Sequence, residues 1–293
     1  MGQEHLLKKH ETTYRLDRSF RREVVSYIER CHLEDGGYFF ARIPPSSGTD
    51  TYFAVKSLSI LGVKPRNPEA VVNFFLSWIR EGTLGGITGI FNAVEVINEL
   101  GQITDELRSY AQERIMVCEN KAGGFGALEN LDVEVTSELQ QTYRAVRVLK
   151  TLGTRFDQNR VVRFVSGFLN PDGGYGREGR STLASTFYAT EVMRLLNVDS
   201  GRIAGAKAYL RMRGNDWLTS FKSGQVDFIE NLYWLVMGLG NLREKLNLPD
   251  RVVTFVLGCQ RQGGGFARAI IMGIPTLEYT FYTLSILKEV GVL

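Results

Sequence analysis

Hydrophobic residues in this chain recur with helical spacing in two alternating kinds of segment. In the first kind, apolar residues follow positions i, i+3, i+4, i+7 and i+8, as they do from Val71 to Ile79. This spacing is typical of an amphipathic helix that buries one face and exposes the other. We predict six such helices, near residues 18–32, 68–81, 104–118, 158–170, 200–213 and 249–260.

The second kind of segment is apolar on most sides. Residues 186–196 read TFYATEVMRLL, and residues 280–287 read TFYTLSIL. A helix that is apolar nearly all round is buried nearly all round. We predict six buried helices, near residues 49–62, 91–100, 135–152, 182–197, 226–242 and 277–290.

A glycine pair and an aromatic residue precede four of the predicted buried helices, and a threonine follows near the start of each helix. The four sequences are Gly36-Gly37-Tyr38, Gly123-Gly124-Phe125, Gly173-Gly174-Tyr175 and Gly264-Gly265-Phe266. Residues 51, 92, 142, 186, 231 and 280 hold equivalent positions, with spacings of 41, 50, 44, 45 and 49 residues. The chain is therefore a repeat of helical hairpins, and its glycines are expected to supply turns with positive φ.

Six half-exposed helices that alternate with six buried ones predict an all-α fold, the (α/α)6 toroid. The apolar helices form the inner ring, and the amphipathic helices form the outer one. We expect the last repeat to pack against the first, because an open solenoid needs polar capping units and no such unit follows the apolar last helix. The repeats predict one domain over residues 18–293, with residues 1–17 as an N-terminal extension.

The composition excludes several classes of protein. A net charge of +3 gives no sign of nucleic-acid binding. No apolar run reaches the roughly 18 residues that a transmembrane helix needs. The three cysteines, Cys31, Cys118 and Cys259, are dispersed, which argues against a disulfide framework. We therefore expect a protein of the reducing cytoplasm.

The glycine pair, the aromatic residue and the Thr-aromatic-Tyr sequence resemble the α/α toroid of protein prenyltransferase β-subunits and terpenoid cyclases. The resemblance covers residues 18–293. It implies an isoprenoid-handling protein that binds a prenyl chain or prenyl diphosphate in a central apolar funnel. It also implies a transferase or a cyclase.

The catalytic motifs of these families are degraded here. The Asp, Cys and His that hold zinc in protein prenyltransferases correspond to Glu230, Leu232 and Tyr279. Leucine has no donor atom and tyrosine is a poor substitute for imidazole, so we expect no zinc, no other bound metal and no cofactor. Mg²⁺ is expected only if the ligand is a diphosphate. Of the DxDD motif of class II cyclases only Asp50 remains, and the DDxxD motif is absent.

Candidate catalytic residues lie just before the repeated threonine positions. Asp50, Glu230 and Tyr279 are predicted to supply acid, base or hydrogen-bonding groups. A carboxyl group in an apolar cavity has a raised pKa and can serve as an acid. The alternative is an internal salt bridge or a hydrated cavity, and it applies equally to Glu138, Glu191 and Glu278.

Aromatic and cationic side chains supply candidate contacts for a substrate. Aromatic faces suit a polyisoprenoid chain, and guanidinium groups pair with phosphate oxygens. The alternatives are core packing for the aromatic residues and a solvated surface for the cations. The candidate substrate-binding residues are Tyr52, Gln141, Arg177, Arg180, Phe187, Tyr188, Lys222, Phe228, Tyr233, Arg268 and Tyr282.

Two other functions remain open from the sequence. A non-catalytic binding or scaffold protein on the same toroid would work with a helical protein partner. A glycoside hydrolase or lyase on an (α/α)6 barrel would need a pair of carboxylates roughly 5 to 9.5 Å apart in an open cleft.

Overall fold

A computed structural model describes residues 7–10, 13–126, 138–222, 224, 226–244 and 249–293. The described chain begins with an antiparallel hairpin of two strands, β1 (Leu7–His10) and β2 (Thr13–Leu16). The sequence predicted only an extension here, because four-residue strands leave no clear periodicity. Twelve α-helices follow in the described ranges.

The odd-numbered helices correspond to the predicted amphipathic segments and the even-numbered helices to the predicted buried ones. The odd-numbered helices are α1 (Arg18–Glu29), α3 (Pro68–Arg80), α5 (Asp105–Val117), α7 (Gln158–Ser166), α9 (Ala204–Lys222) and α11 (Pro249–Gly258). The even-numbered helices are α2 (Gly48–Ile60), α4 (Gly86–Glu99), α6 (Glu138–Leu152), α8 (Leu183–Leu195), α10 (Ile229–Asn241) and α12 (Leu277–Glu289). In the described ranges, none of these helices is long and apolar enough to cross a membrane.

The two classes of helix differ in burial as the pattern predicts. Helix α12 buries nine of its 13 residues, whereas α1 buries four of its 12. The four residues that α1 buries follow a single stripe from Phe20 to Ile28. The alternation of wet and dry helices is therefore confirmed.

Two predicted helix boundaries are wrong by five residues or more. Helix α4 begins at Gly86 instead of residue 91, so Phe91 lies in its second turn and is buried instead of lying at the helix start. Helix α9 continues to Lys222 instead of ending at residue 213. Gly214, the first residue beyond the predicted end, is buried inside the helix, and Trp217 continues the buried stripe beyond it.

The described residues form two compact units. Unit 1 draws on residues 1–74, 220–237 and 245–293, and unit 2 draws on residues 75–219 and 238–244. In unit 1, α12 packs along α2. In unit 2, α6 packs between α4 and α8.

The glycine pairs lie against the odd-numbered helix of a neighbouring repeat. A Cβ atom at Gly173 would stand 2.4 Å from the carbonyl oxygen of Gly205 in α9, and one at Gly264 would stand 2.3 Å from that of Glu23 in α1. Both glycines also have positive φ, +84° and +97°, so a side chain is excluded twice. Because Gly264 belongs to the last repeat and Glu23 to the first, the predicted packing of the last repeat on the first is confirmed within unit 1.

The repeated threonine binds the backbone of the glycine loop. Thr186 Oγ1 accepts a hydrogen bond from the Tyr175 N–H at 3.0 Å, and Thr280 Oγ1 accepts one from the Phe266 N–H at 3.2 Å. Thr51 and Thr142 do the same for their own loops. A buried N–H needs a partner. The threonine supplies it, which explains why the aromatic residue and the threonine recur together.

Candidate functional site

The first turns of α2, α10 and α12 lie side by side in unit 1. The fifth residues of these helices are in ring contact. The Tyr52 ring is 5.9 Å from that of Phe281, and the Tyr233 ring is 6.0 Å from it. The three helices therefore run in the same direction with their N-terminal ends together. We call the side chains of these turns the three-helix site: Asp50, Tyr52, Glu230, Tyr233, Glu278, Tyr279 and Tyr282.

Asp50 is the most enclosed acid of the three-helix site. Its side chain accepts a hydrogen bond from the Phe40 N–H at 3.4 Å, and its own N–H donates to Ser47 Oγ, the N-cap of α2. Burial, with a smaller contribution from the charge of Glu278, raises the pKa of Asp50 to about 6 against the Phe40 hydrogen bond. The carboxyl group therefore keeps its proton up to about pH 6, and a protonated fraction remains at neutral pH for use as an acid.

Two tyrosines adjoin the acids of this site. The Tyr282 hydroxyl donates to Glu278 Oε1 at 2.8 Å. Burial, followed by the charges of Glu230 and Glu278, raises the pKa of Tyr279. The Tyr279 phenol thus stays protonated at neutral pH and can donate a hydrogen bond.

Glu230 and Arg268 are partners of each other. Arg268 Nε donates to Glu230 Oε1 at 2.6 Å, and this hydrogen bond raises the pKa of Arg268. The Arg268 guanidinium also lies 3.9 Å from the ring centroid of Phe228, a cation–π contact. For Glu230 the salt-bridge alternative therefore describes the structure, and the charge that Arg268 was predicted to offer a phosphate is already balanced.

The aromatic candidates of unit 1 divide into exposed and buried members. Tyr233 stacks on Tyr282, with ring centroids 4.3 Å apart. Phe53 packs on Phe281 at 5.4 Å, and both are at least nine-tenths buried. Tyr52 and Tyr233 keep partly exposed rings. The partly exposed rings of Tyr52 and Tyr233 pack against the buried rings of Phe281 and Tyr282, which hold them in place.

Unit 2 contains a second aromatic cluster, on α4, α6 and α8. The Tyr143 ring is 6.0 Å from Phe91 and 5.6 Å from Tyr188. Gln140 Nε2 donates to the Tyr188 hydroxyl at 2.7 Å. Phe187 and Tyr188 are nine-tenths buried, so core packing accounts for most of their surface.

A pocket of about 450 Å³ lies beside this cluster in unit 2. It is formed by the start of α4, the end of α5 and the start of α6. Gln141, a predicted substrate-binding residue, lines it with Tyr110 and Arg114. Its volume lies in the range of small-molecule sites.

The predicted phosphate-binding cations occupy three different situations. Arg177 Nε donates to Glu138 Oε2 at 3.2 Å, so its charge is balanced as that of Arg268 is. Arg180 is exposed. Lys222 is the last residue of α9, whereas the predicted helices placed it in the loop between residues 213 and 226. Its side chain lies outside the described residues.

Two acids inside the predicted buried helices form ion pairs. Glu95 was not singled out from the sequence, whereas an internal salt bridge was one of the alternatives for Glu191. Arg147 Nε on α6 donates to Glu95 Oε1 on α4 at 2.9 Å, and Glu95 is 3% exposed. Glu191 on α8 pairs with Arg194 one turn later, at 2.8 Å. The available signal was an acid inside an apolar helix, such as Glu95 in NAVEVI, which requires a cation nearby.

The positions that correspond to a zinc site do not form a zinc donor set. Glu230 is bound to Arg268, Leu232 is fully buried and has no donor atom, and Tyr279 is a protonated phenol. Zinc needs thiolate, imidazole or carboxylate ligands. Within the described part of the chain, no three His, Cys, Asp or Glu side chains cluster tightly enough to hold a metal ion. That the protein uses no metal stays a prediction.

Comparisons with known proteins agree with this architecture. A family model described as the prenyltransferase alpha-alpha toroid domain matches residues 3–88, 84–217 and 206–291. No curated protein matches the sequence. Among solved structures, Candida albicans protein geranylgeranyltransferase-I complexed with GGPP is similar, with a TM-score of 0.68 and 16% sequence identity. The match covers 92% of this chain and 90% of that chain, and at this identity it shows the fold alone.

Proposed function

Because this chain belongs to the family of prenyltransferase alpha-alpha toroid domains, whose all-α toroid is the predicted fold, we propose that it binds a prenyl chain or prenyl diphosphate. The proposed contact surface is the three-helix site. The supporting observation is the pair of partly exposed rings, Tyr52 and Tyr233, beside the enclosed carboxyl group of Asp50.

The chemistry of a prenyl chain fits this surface. The chain is apolar and carries double bonds, and it is stabilised by burial at about 25 cal/mol per Å² and by contact with aromatic faces. Tyr233 is braced by its stack on Tyr282, and Tyr282 is held through its hydroxyl by Glu278. The ring therefore presents a fixed face, which lowers the entropy lost on binding.

The proposed reaction is a zinc-free cyclisation or transfer. In the cyclisation the Asp50 carboxyl group gives its proton to a double bond of the ligand, the cation that forms lies against the rings of Tyr52 and Tyr233, and the cyclised cation returns a proton to the Asp50 carboxylate. In the transfer the bond between the prenyl carbon and the diphosphate oxygen breaks, diphosphate leaves, and an acceptor nucleophile bonds to the prenyl carbon and loses its proton to solvent. Tyr279 donates a hydrogen bond to a polar end of the ligand. Glu230 fixes the position of Arg268 and takes no part in proton transfer.

A diphosphate head group would have to compete with carboxylates for its cations. Arg268 is held by Glu230, and Arg177 is held by Glu138. We therefore expect the chain to supply most of the affinity. A prenyl alcohol should bind within about tenfold of the diphosphate of equal length, and Mg²⁺ should strengthen only diphosphate binding.

Equilibrium dialysis with radiolabelled prenyl diphosphates and alcohols of several lengths, with and without Mg²⁺, tests the proposal. We expect micromolar binding that strengthens with chain length. Tyr233→Ala should weaken it about three- to tenfold, because one aromatic contact is lost. Phe168→Ala, a half-buried aromatic residue that packs on Phe164 outside the three-helix site, is the matched control. No binding of any prenyl compound at micromolar concentration would reject the proposal.

The second candidate function is a non-catalytic binding or scaffold protein with a helical partner. The observation in its favour is that Glu230 and Arg268, both predicted site residues, satisfy each other. Product analysis separates the two functions. Conversion of a bound prenyl compound that Asp50→Asn abolishes supports the enzyme, whereas binding without any conversion supports the scaffold.

A further inference from the structure

Exposed apolar side chains are concentrated in three loops of unit 1. These loops, which we call the apolar loops, are residues 40–47, 224–228 and 267–276. Among described residues, they hold six of the ten large hydrophobic side chains that are exposed. The six are Ile43, Val226, Ile270, Ile271, Met272 and Ile274. Isolated exposed apolar residues are ordinary, but a cluster of this kind marks an interaction site.

The three apolar loops lie at the same end of unit 1. Each loop precedes one of the helices α2, α10 and α12, whose first turns are side by side. The loops are also linked directly, because Ile270 and Ile271 line a small pocket with Val226. The Ile229 N–H donates to the Arg268 carbonyl oxygen at 2.9 Å. The exposed side chains of residues 224–228 and 267–276 therefore form one surface, and Ile43 lies at the same end of the unit, which carries the three-helix site.

Hydrogen bonds from Arg261 hold the longest apolar loop, residues 267–276, in its conformation. The Arg261 guanidinium donates to the carbonyl oxygens of Ala269, at 2.7 Å, and Met272, at 3.2 Å. Ala269 is fully buried, while Ile271 is 74% exposed and Ile274 is 64% exposed. Exposure of these isoleucines is thus a fixed feature of the loop.

Of the two arginines that adjoin the exposed isoleucines, Arg268 is paired with Glu230, and Arg42 lies in a loop without acids. Residues 40–47 contain Arg42 and no acid, and residues 267–276 contain Arg268 and no acid. Arg42 is exposed and immediately precedes Ile43. Asp227 is the one acid in the described residues of the three loops.

We infer that the apolar loops dock this protein on an anionic phospholipid bilayer. The exposed residues are aliphatic and stand on loops, whereas protein interfaces are enriched in aromatic residues. Isoleucine side chains enter the boundary of the acyl chains, while Arg42, next to Ile43, stays at the level of the lipid phosphates. The three-helix site then faces the bilayer, which is the reservoir of long prenyl compounds.

Sedimentation with sucrose-loaded vesicles tests the docking surface. One set is phosphatidylcholine alone, and the other is phosphatidylcholine mixed with phosphatidylserine. We expect the wild type to bind the mixed vesicles more tightly and to be released by salt. The variant Ile271→Ser/Ile274→Ser should lower the partition coefficient at least about tenfold. Its unfolding temperature should not change, because both side chains are exposed.

The matched control is Leu169→Ser/Met212→Ser, two residues of unit 2 that are each 46% exposed. It should change the partition coefficient less than about twofold. A wild type that stays in the supernatant with both vesicles would overturn the inference. Equal losses of vesicle binding in the two variants would also overturn it. So would a protein that forms a dimer and binds no vesicles, if Ile271→Ser/Ile274→Ser dissociates that dimer. The vesicles contain no isoprenoid, so the result does not depend on the proposed ligand.

Discussion

Asp50 combines a position in the first turn of a helix with an environment that disfavours its charge. It lies in the first turn of α2, where a negative charge is favoured by the helix dipole. Burial and the nearby Glu278 act in the opposite direction and dominate, so the pKa of Asp50 is raised. The ionised form is therefore strained in the folded protein, and this strain can be measured without any ligand.

Asp50→Asn should stabilise the protein at neutral pH but not in acid. The pKa of Asp50 rises from 3.8 to about 6 on folding. At about pH 3 and below the carboxyl group is neutral in both states and costs nothing. Between about pH 3 and 6 the unfolded chain ionises first, so the wild type loses stability as pH rises, by up to about 3 kcal/mol. The free energies of unfolding of both proteins, measured in urea at about pH 3 and 7.5, check this.

The outcome that contradicts this account is a constant difference in stability between the two proteins at both pH values. Phe40 provides an internal reference. Its N–H finds an acceptor in either the aspartate or the asparagine, so loss of that hydrogen bond does not enter the comparison.

At single positions the sequence predicted the environment of a residue better than its partner. The raised pKa expected of a carboxyl group in an apolar setting is found at Asp50, and the role of Asp50 as an acid stays a prediction. Glu230 was chosen by the same reasoning, but it is bound to Arg268, 38 residues further along the chain. The pairing of Glu95 with Arg147 depends in the same way on how α4 packs against α6. Sequence spacing does not encode such contacts between repeats.

At the scale of elements, the glycine pair and the threonine together fix the loop between an odd-numbered helix and the following even-numbered helix. The first glycine approaches the neighbouring odd-numbered helix, and the second leaves room for a side chain. A Cβ atom at Gly174 would lie 2.6 Å from Ser181 Cβ and 2.9 Å from the Tyr209 ring. Thr186 then fixes the same loop through the Tyr175 N–H. The sequence showed the repeat and the turn, whereas the close approach is visible only in the packed structure.

Gly174→Ala should destabilise the protein by about 2–3 kcal/mol, because the added methyl group overlaps Ser181 and Tyr209. Gly89→Ala is the matched control. Gly89 lies inside α4, where a Cβ atom meets only the Leu84 side chain, at 3.4 Å. This substitution should be neutral or stabilising by up to about 1 kcal/mol. Urea unfolding of the two variants and the wild type compares them, and equal effects would refute the role of the glycine pair.

The two largest boundary errors both leave a glycine outside its helix. Gly86 lies before the predicted start of α4 and Gly214 after the predicted end of α9, but Gly86 begins α4 and Gly214 lies inside α9. Glycine in a helix interior costs roughly 1 kcal/mol. The burial of Trp217 beyond Gly214 offsets that cost. The low helix propensity of glycine therefore did not end α9, because the packing of Trp217 extends the helix beyond Gly214.

At the scale of the whole molecule, the fold followed from periodicity, and the function does not. Alternating wet and dry helices predicted the toroid that the family confirms. One fold can carry unrelated functions, so the function has to be argued from the site. Here the site offers tyrosine faces and an enclosed acid, and it lacks a zinc donor set. A glycoside hydrolase or lyase stays an alternative that activity on polysaccharides would support.

Native mass spectrometry of the purified protein, before and after addition of prenyl alcohols and diphosphates, tests the central claim most directly. The account predicts a complex with a co-purified or added prenyl compound, and lipid extraction identifies the compound. Tyr233→Ala should lower the bound fraction, and Phe168→Ala should not. A protein that stays free of every prenyl compound, or that carries a second polypeptide instead, would contradict the claim that this chain binds isoprenoids.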